Sequence, residues 1–266
     1  MANVAFDKTA VASGDAVSTL TITAFAPAGV DRYILAGIAL PDGDTVTSVI
    51  KGAGGNFSLV DAQSDVVGGG RAEMWELINP SVTSEDIVLV VSAANAGLTF
   101  GICSFNVVHQ TTPRAVTVKN TGVGDPTTTH ASATDRFDMM VSALARNLNA
   151  VPVNCTERWD VMQANEPSGY GSTDPGTMAA KNMQHNYAQN REWAMVAVSI
   201  QPSASAGLSA NLGLLTETNL VQLMNKAKAK EIGLQTETDL AQTMSRVKLR
   251  TIGLLNETDA TARWPG

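Results

Sequence analysis

The chain has 266 residues, 44% of them hydrophobic, and a formal net charge of -7. It is long enough to bury a sizeable core, and its acidic character disfavours phosphate backbones, so we do not expect it to bind nucleic acid. It contains no apolar run of about 18 residues and no charged start followed by an apolar stretch, so we expect neither a membrane span nor a secretory signal.

Short β-rich segments separated by turn residues follow one another through the first 203 residues. Clusters such as Pro41-Asp42-Gly43-Asp44 stand between them, and no convincing amphipathic helix interrupts them. The predicted strands are 17–25, 33–40, 45–50, 71–77, 87–92, 98–108, 115–119, 137–145, 158–163, 178–183 and 193–201. This pattern predicts a mainly β, jelly-roll-like sandwich domain. Because Ile87-Val88-Leu89-Val90-Val91 is continuously apolar, we expect it to be a central strand covered on both faces.

The sequence offers few side chains for catalysis or metal binding. Cys103 and Cys155 lie 52 positions apart with no further Cys or His at zinc-ligand spacing, so we predict two unpaired thiols and no metal site. Cys103 lies in an apolar segment and should be buried. The three histidines are scattered, and no nucleophile motif is present, so a hydrolase is the least favoured class. We expect no catalytic residue, no cofactor and no enzyme activity.

Two pairs of acidic residues admit a second interpretation. Asp135 with Asp138, and Glu157 with Asp160, have the residue type of a glycosidase acid and base. Nothing in the sequence brings one pair near the other. Charged side chains at strand edges also prevent sheets from pairing edge to edge, so we favour structural positions for both pairs.

Aromatic residues and one glycine-rich segment are the candidates for ligand contact. Trp75, Trp159 and Trp193 could stack on sugar rings, but Trp75 and Trp193 lie in apolar segments that favour burial. The polar segment 165–176 has the composition of a long loop, and functional contacts concentrate on such loops. The candidate ligand or partner residues within it are Ser168, Tyr170 and Asp174.

A motif recurs every 20 residues at the C-terminal end, as Leu212-Gly213-Leu214, Ile232-Gly233-Leu234 and Ile252-Gly253-Leu254. Each copy is followed by a polar cluster such as Thr236-Glu237-Thr238-Asp239, and basic residues come later in the unit. This order is the one a helix macrodipole favours. We expect short helices of roughly 12 to 15 residues. The alternating stretch 226–230 leaves an extended structure as the alternative.

The repeats indicate an assembly region. One unit cannot bury its apolar face alone, and about three or more are usually needed for stability, so partners should supply the missing contacts. We divide the chain into a sandwich domain at 1–203, a linker at 204–208 and a repeat region for assembly or anchoring at 209–266. The residues expected to make the assembly contacts are Leu220, Met224, Ile232, Leu240, Met244, Val247 and Ile252. A flexible lysine-bearing tail is the alternative.

Five stretches of the first domain together carry a resemblance to a known family. They are Leu35-Ala36-Gly37-Ile38, Thr47-Ser48-Val49, Met74-Trp75-Glu76-Leu77, Phe105 to Pro113 and Trp193 to Pro202. Together they resemble a jelly-roll-like β-sandwich of bacteriophage structural proteins and large bacterial surface proteins. The repeats are similar to those that phage head- and tail-associated proteins carry after such a sandwich.

The resemblance implies a non-enzymatic virion structural protein on the surface of the phage particle. Head decoration, head fibre and tail component all remain open. It implies capsid or tail proteins as partners, and a homo-oligomer assembled through the repeats, for which we favour a trimer. The alternative is a carbohydrate-binding or host-adsorption module of a phage or bacterial surface protein, with a host surface glycan as its ligand.

Overall fold

The structure is a computed structural model in which the chain divides into two compact units, Met1–Ala204 and Ser205–Gly266. It describes residues 3–65, 69–95, 97–125, 127–130, 137–144, 150–162, 167–175, 181–187 and 192–203. The predicted linker, the repeat region and its seven assembly residues lie outside these ranges. The described residues confirm a mainly β fold of stacked antiparallel sheets.

The strands of the first half build two sheets. They are β1 (Ala5–Gly14), β2 (Val17–Phe25), β3 (Tyr33–Leu40), β4 (Val46–Lys51), β5 (Gly55–Asn56), β6 (Ser58–Ser64), β7 (Arg71–Ile78), β8 (Glu85–Asn95) and β9 (Leu98–Asn106). Sheet A has the order β1-β9-β3-β7-β6, and sheet B has the order β2-β8-β4-β5.

The strands of the second half build two more sheets. They are β10 (Arg114–Val123), β11 (Thr127–His130), β12 (Phe137–Leu144), β13 (Ala150–Val153), β14 (Thr156–Val161), β15 (Ser168–Pro175), β16 (Lys181–Tyr187) and β17 (Glu192–Ile200). Sheet C has the order β10-β17-β12-β15-β14, and sheet D has the order β11-β16-β13.

The second half repeats the strand order of the first. When the strands of each half are counted from its start and the two-residue β5 is left out, sheet C reproduces sheet A, and sheet D reproduces the first three strands of sheet B. The sequence carries a trace of this repetition, because Asp31-Arg32-Tyr33 before Ala39-Leu40 recurs as Asp135-Arg136-Phe137 before Ala143-Leu144 at the same spacing. The chain therefore contains two copies of one strand arrangement.

The two copies pack through sheets A and C with pseudo-two-fold symmetry. Strand β3 packs on β12, which is its counterpart in the second half. The contact of β7 with β17 is equivalent to the contact of β15 with β9. The contact of β6 with β10 is equivalent to the contact of β14 with β1. Each contact thus recurs with the roles of the halves exchanged, which is the pattern of an isologous dimer interface.

Strand β3 shows how the layers are built, because it is buried along its whole length. Successive side chains in a strand point to opposite faces. Tyr33 and Leu35 therefore lie in the core between sheets A and C. Ile34 and Ile38 point the other way and lie in the core between sheets A and B. A third core, with Trp193 and Met195 of β17, lies between sheets C and D. The layers therefore follow the order B, A, C, D.

The prediction that 87–91 would be covered on both faces is wrong. This segment lies in β8, in the middle of sheet B, where Ile87, Leu89 and Val91 are buried and Val88 and Val90 are only half-buried. Sheet A lies between sheets B and C, which cover both of its faces. Sheet B is an outer layer, so only one face of β8 packs on another sheet. Among the described strands, those with both faces buried include β3, β9, β15 and β17.

Sheets A and C approach each other closely where glycines face the interface. The indole of Trp159 on β14 lies between Gly101 on β9 and Gly171 on β15, and a Cβ at these positions would stand 2.0 Å and 2.2 Å from indole atoms. At Gly169 a Cβ would meet Thr99 at 2.7 Å. The missing side chains make the room for the indole and for the contact of β15 with β9.

Polar contacts also join sheets A and C. The hydroxyl of Tyr33 donates to Oε2 of Glu76 at 2.5 Å, and the guanidinium of Arg114 donates from Nη2 to Oε1 of Glu76 at 3.0 Å. Burial, followed by the charge of Glu76, raises the pKa of Tyr33 well above its usual value, so the phenol stays a neutral donor. A buried carboxylate thus has donors from both sheets.

We expect the Gly171→Ala substitution to destabilise the protein by about 3 kcal/mol, because the new methyl group must displace the buried indole of Trp159. The Gly54→Ala substitution is the matched control, since a Cβ there meets nothing within 4 Å. Urea unfolding of both variants measures the difference. Equal stability of the two variants would contradict the close contact.

Candidate functional site

The described part of the segment that the sequence predicts as a ligand loop contains a buried strand. Ser168, Tyr170 and Asp174 all lie on β15, which pairs with β12 on one side and β14 on the other, and all three are buried. The prediction of an exposed loop is therefore wrong. Gly169 and Gly171 of β15, whose presence suggested a loop, face the close contact with sheet A.

The polar side chains of β15 meet sheet D instead. Tyr170, Ser172 and Asp174 are alternate residues of β15. With His185 of β16 and Cys155 before β14, they form what we call the β15–β16 cluster. Ser172 Oγ lies 2.9 Å from His185 Nε2, and the ring centroids of Tyr170 and His185 are 6.1 Å apart. The thiol of Cys155 donates to the carbonyl of Gln184.

Burial determines the electrostatics of this region. It lowers the pKa of the His185 imidazole to about 4, so the ring is neutral at pH 7. Burial also raises the pKa of the Cys155 thiol, which favours the neutral form. Asp160, the cross-strand partner of Tyr170, has a pKa raised to about 6 by burial and then by the charge of Glu157.

The contact between Ser172 and His185 has the residue types and distance of a nucleophile and its general base. Two observations favour a structural role. Ser172 is fully buried, and among the described residues Nδ1 of His185 has no hydrogen-bond partner that would orient the ring as a base. We therefore assign the contact to packing between sheets C and D.

The two thiols have the environment that the sequence predicts, whereas only Trp193 of the two tryptophans expected to be buried has it. Cys103 and Cys155 are free, and Cys103 is buried, as predicted. Burial raises the pKa of Cys103 to about 12, which makes this thiol a poor nucleophile. Trp159 and Trp193 are buried, whereas Trp75 is only half-buried.

The acidic pairs are not brought together as a site in the part of the chain that the structure describes. Asp135 and the side chain of Asp138 lie outside it, and Glu157 is exposed beside the half-buried Asp160. Within the described ranges, no group of three or more His, Cys, Asp or Glu side chains is arranged to hold a metal ion. The described residues include no helix that is long and apolar enough to cross a membrane.

Comparison with known proteins gives no match. No protein-family profile, no curated protein and no solved structure was found to match this chain.

We expect the His185→Gln variant to lose less stability in acid than the unaltered protein. The unfolded state, in which the pKa of a histidine is about 6.5, binds the proton more tightly than the folded state, where it is about 4. Stability from the neutral ring is therefore complete above about pH 6.5 and decreases by up to about 3 kcal/mol as the pH falls toward 4.

Asp160 supplies the control because its effect has the opposite sign. Its folded pKa is raised to about 6, so acidification below that pH favours the folded state. The Asp160→Asn variant should therefore lose more stability than the unaltered protein as the pH falls. Urea unfolding at several pH values between 4 and 7 compares the three proteins. Parallel curves for His185→Gln and the unaltered protein would contradict the buried neutral imidazole.

Proposed function

We propose that this protein is a non-enzymatic structural component of a bacteriophage particle, displayed on the capsid or tail surface and assembled through its C-terminal repeats. In this proposal it is a head decoration, a head fibre or a tail component. Its partners are copies of itself, with a trimer favoured, and the capsid or tail proteins that carry it.

The observation that supports the proposal most is the strand order of the two halves. We infer a jelly roll in each: sheet A without β6 pairs four strands with the four of sheet B, as in the eight-stranded jelly rolls of viral capsid and lectin domains. Sheets C and D repeat the arrangement without a counterpart of β5 in the described residues. A fold alone does not fix a function, so the proposal also rests on the C-terminal repeats.

The repeats favour assembly over an isolated binding domain. Their 20-residue period and regularly placed apolar residues are typical of units that stack on one another or on neighbouring copies. The carbohydrate-binding alternative receives no support from the predicted ligand residues Ser168, Tyr170 and Asp174, because all three are buried. We therefore place the virion structural role first.

We expect the full chain to be a trimer and a chain truncated after Ser205 to be a monomer. The reason is that the truncation removes all the repeats and leaves intact the compact unit that ends at Ala204. Light scattering coupled to size exclusion measures both masses. As a matched control, the Leu240→Asp substitution should weaken the trimer, while Lys248→Asp, a polar position of the same unit, should affect it less.

Two results would contradict the proposal. If the full chain and the truncated chain are both monomers, the repeats do not assemble copies of this protein. If mass spectrometry finds no peptide of the chain in purified phage particles from the host that carries its gene, the virion location is wrong.

A further inference from the structure

Trp75 has a surface position that is unusual among the aromatic residues of this protein. Only two of the aromatic side chains that the structure describes, Phe6 and Trp75, are not buried. The ring of Phe6 is covered by the guanidinium of Arg158, which lies 3.5 Å from the ring centroid. Trp75 is thus the described aromatic residue best placed to meet a ligand.

The surface around Trp75 consists of three cross-strand pairs on β6 and β7. We call it the Trp75 surface; its residues are Leu59 opposite Trp75, Ala62 opposite Glu73 and Ser64 opposite Arg71. From Trp75 to Arg71 it spans about 14 Å. Apart from the buried Glu73, its residues are half-buried or exposed, because β5, the strand of sheet B next to β4, has two residues, after which the chain crosses to sheet A as β6. Leu59 is 48% exposed.

A buried carboxylate fixes the polar and aromatic side chains of this surface. Glu73 is only 2% exposed. It accepts a hydrogen bond from Nε1 of Trp75 at 2.8 Å and another from Nε of Arg71 at 2.7 Å. Nη1 of Arg71 also donates to Ser64 Oγ at 3.3 Å. The indole and the guanidinium are therefore held in place before any ligand arrives, which lowers the entropic cost of binding.

We propose that the Trp75 surface is a binding site for a neutral saccharide. A sugar ring combines an apolar C–H face, which fits the flat indole, with hydroxyl groups that accept N–H hydrogen bonds. Two of the five N–H groups of Arg71 make the bonds described above, and a guanidinium has three more with which to donate to sugar hydroxyls. The proposal goes beyond the assembly role and does not depend on it.

Size and charge argue against other ligands. A strip of about 14 Å by roughly 10 Å, two strands wide, is far smaller than the roughly 800 Å² that each partner buries in a stable protein interface. The net charge of -7 disfavours polyanions such as nucleic acids or acidic polysaccharides. A neutral sugar chain matches both limits.

The test is saturation-transfer NMR and calorimetric titration of the full chain with four neutral probes: maltohexaose, cellohexaose, mannohexaose and chitohexaose. We expect at least one to bind with millimolar or better affinity. Trp75→Ala should weaken that binding at least about tenfold, and Trp75→Phe should retain more of it because a flat ring remains. Val123→Ala, which removes an exposed side chain on β10, is the matched control and should bind normally.

Leu59→Asp keeps the test decisive if Trp75→Ala unfolds. Leu59 is exposed, so this variant should fold, and its charge beside the indole should weaken binding to a similar extent. The proposal is overturned if none of the four probes binds at about 10 mM. It is equally overturned if Trp75→Ala, or Leu59→Asp where the first does not fold, binds as the unaltered protein does. Neither outcome bears on whether the repeats form a trimer.

Discussion

The close contact between sheets A and C at Trp159 is the constraint on which the rest of the architecture depends. Face-to-face sheets usually lie about 10 Å apart, with side chains from both filling the space. Where Gly101 and Gly171 lie, one indole fills the space, because the two glycines leave room on both of its sides. Strands β3 and β9 of sheet A and β15 and β17 of sheet C are buried on both faces. Arg114 of sheet C also reaches the carboxylate of Glu76 in sheet A.

The pseudo-two-fold packing means that a single chain contains an interface of the kind that dimers form. The two equivalent margins of this interface are closed by different chemistry. Lys119 of β10 pairs with Asp61 of β6 at one margin, while the guanidinium of Arg158 covers Phe6 at the other. The halves have thus diverged while their strand order stayed the same. Because sheets A and C bury their facing surfaces within the chain, contacts with other molecules must use the outer sheets, the strand edges or the repeats.

The sequence predicts strands well where a segment is rich in apolar residues. It predicts them poorly where a buried strand contains many polar or small residues. The predictions 17–25 and 33–40 match β2 and β3 residue for residue. Strand β15 was predicted as a loop because Ser168 to Gly171 has the composition of a turn, and only the opposing Trp159 explains why a strand needs glycine there. The repetition of the halves was equally hidden, since few residues beyond Asp-Arg before an aromatic residue recur. Local composition cannot show which element lies opposite.

The repetition also relates the buried cluster to the Trp75 surface. Trp75 pairs with Ala36 on β3, and Ser172 pairs with Met140 on β12; Ala36 and Met140 are counterparts in the two copies of the Asp-Arg motif. Trp75 and Ser172 therefore occupy equivalent positions on the outer faces of sheets A and C. Sheet D covers Ser172 and supplies His185 to it, whereas the short β5 leaves Trp75 half-exposed. The same face of two equivalent strands is thus covered by packing in one half and, because its cover is incomplete, partly exposed in the other.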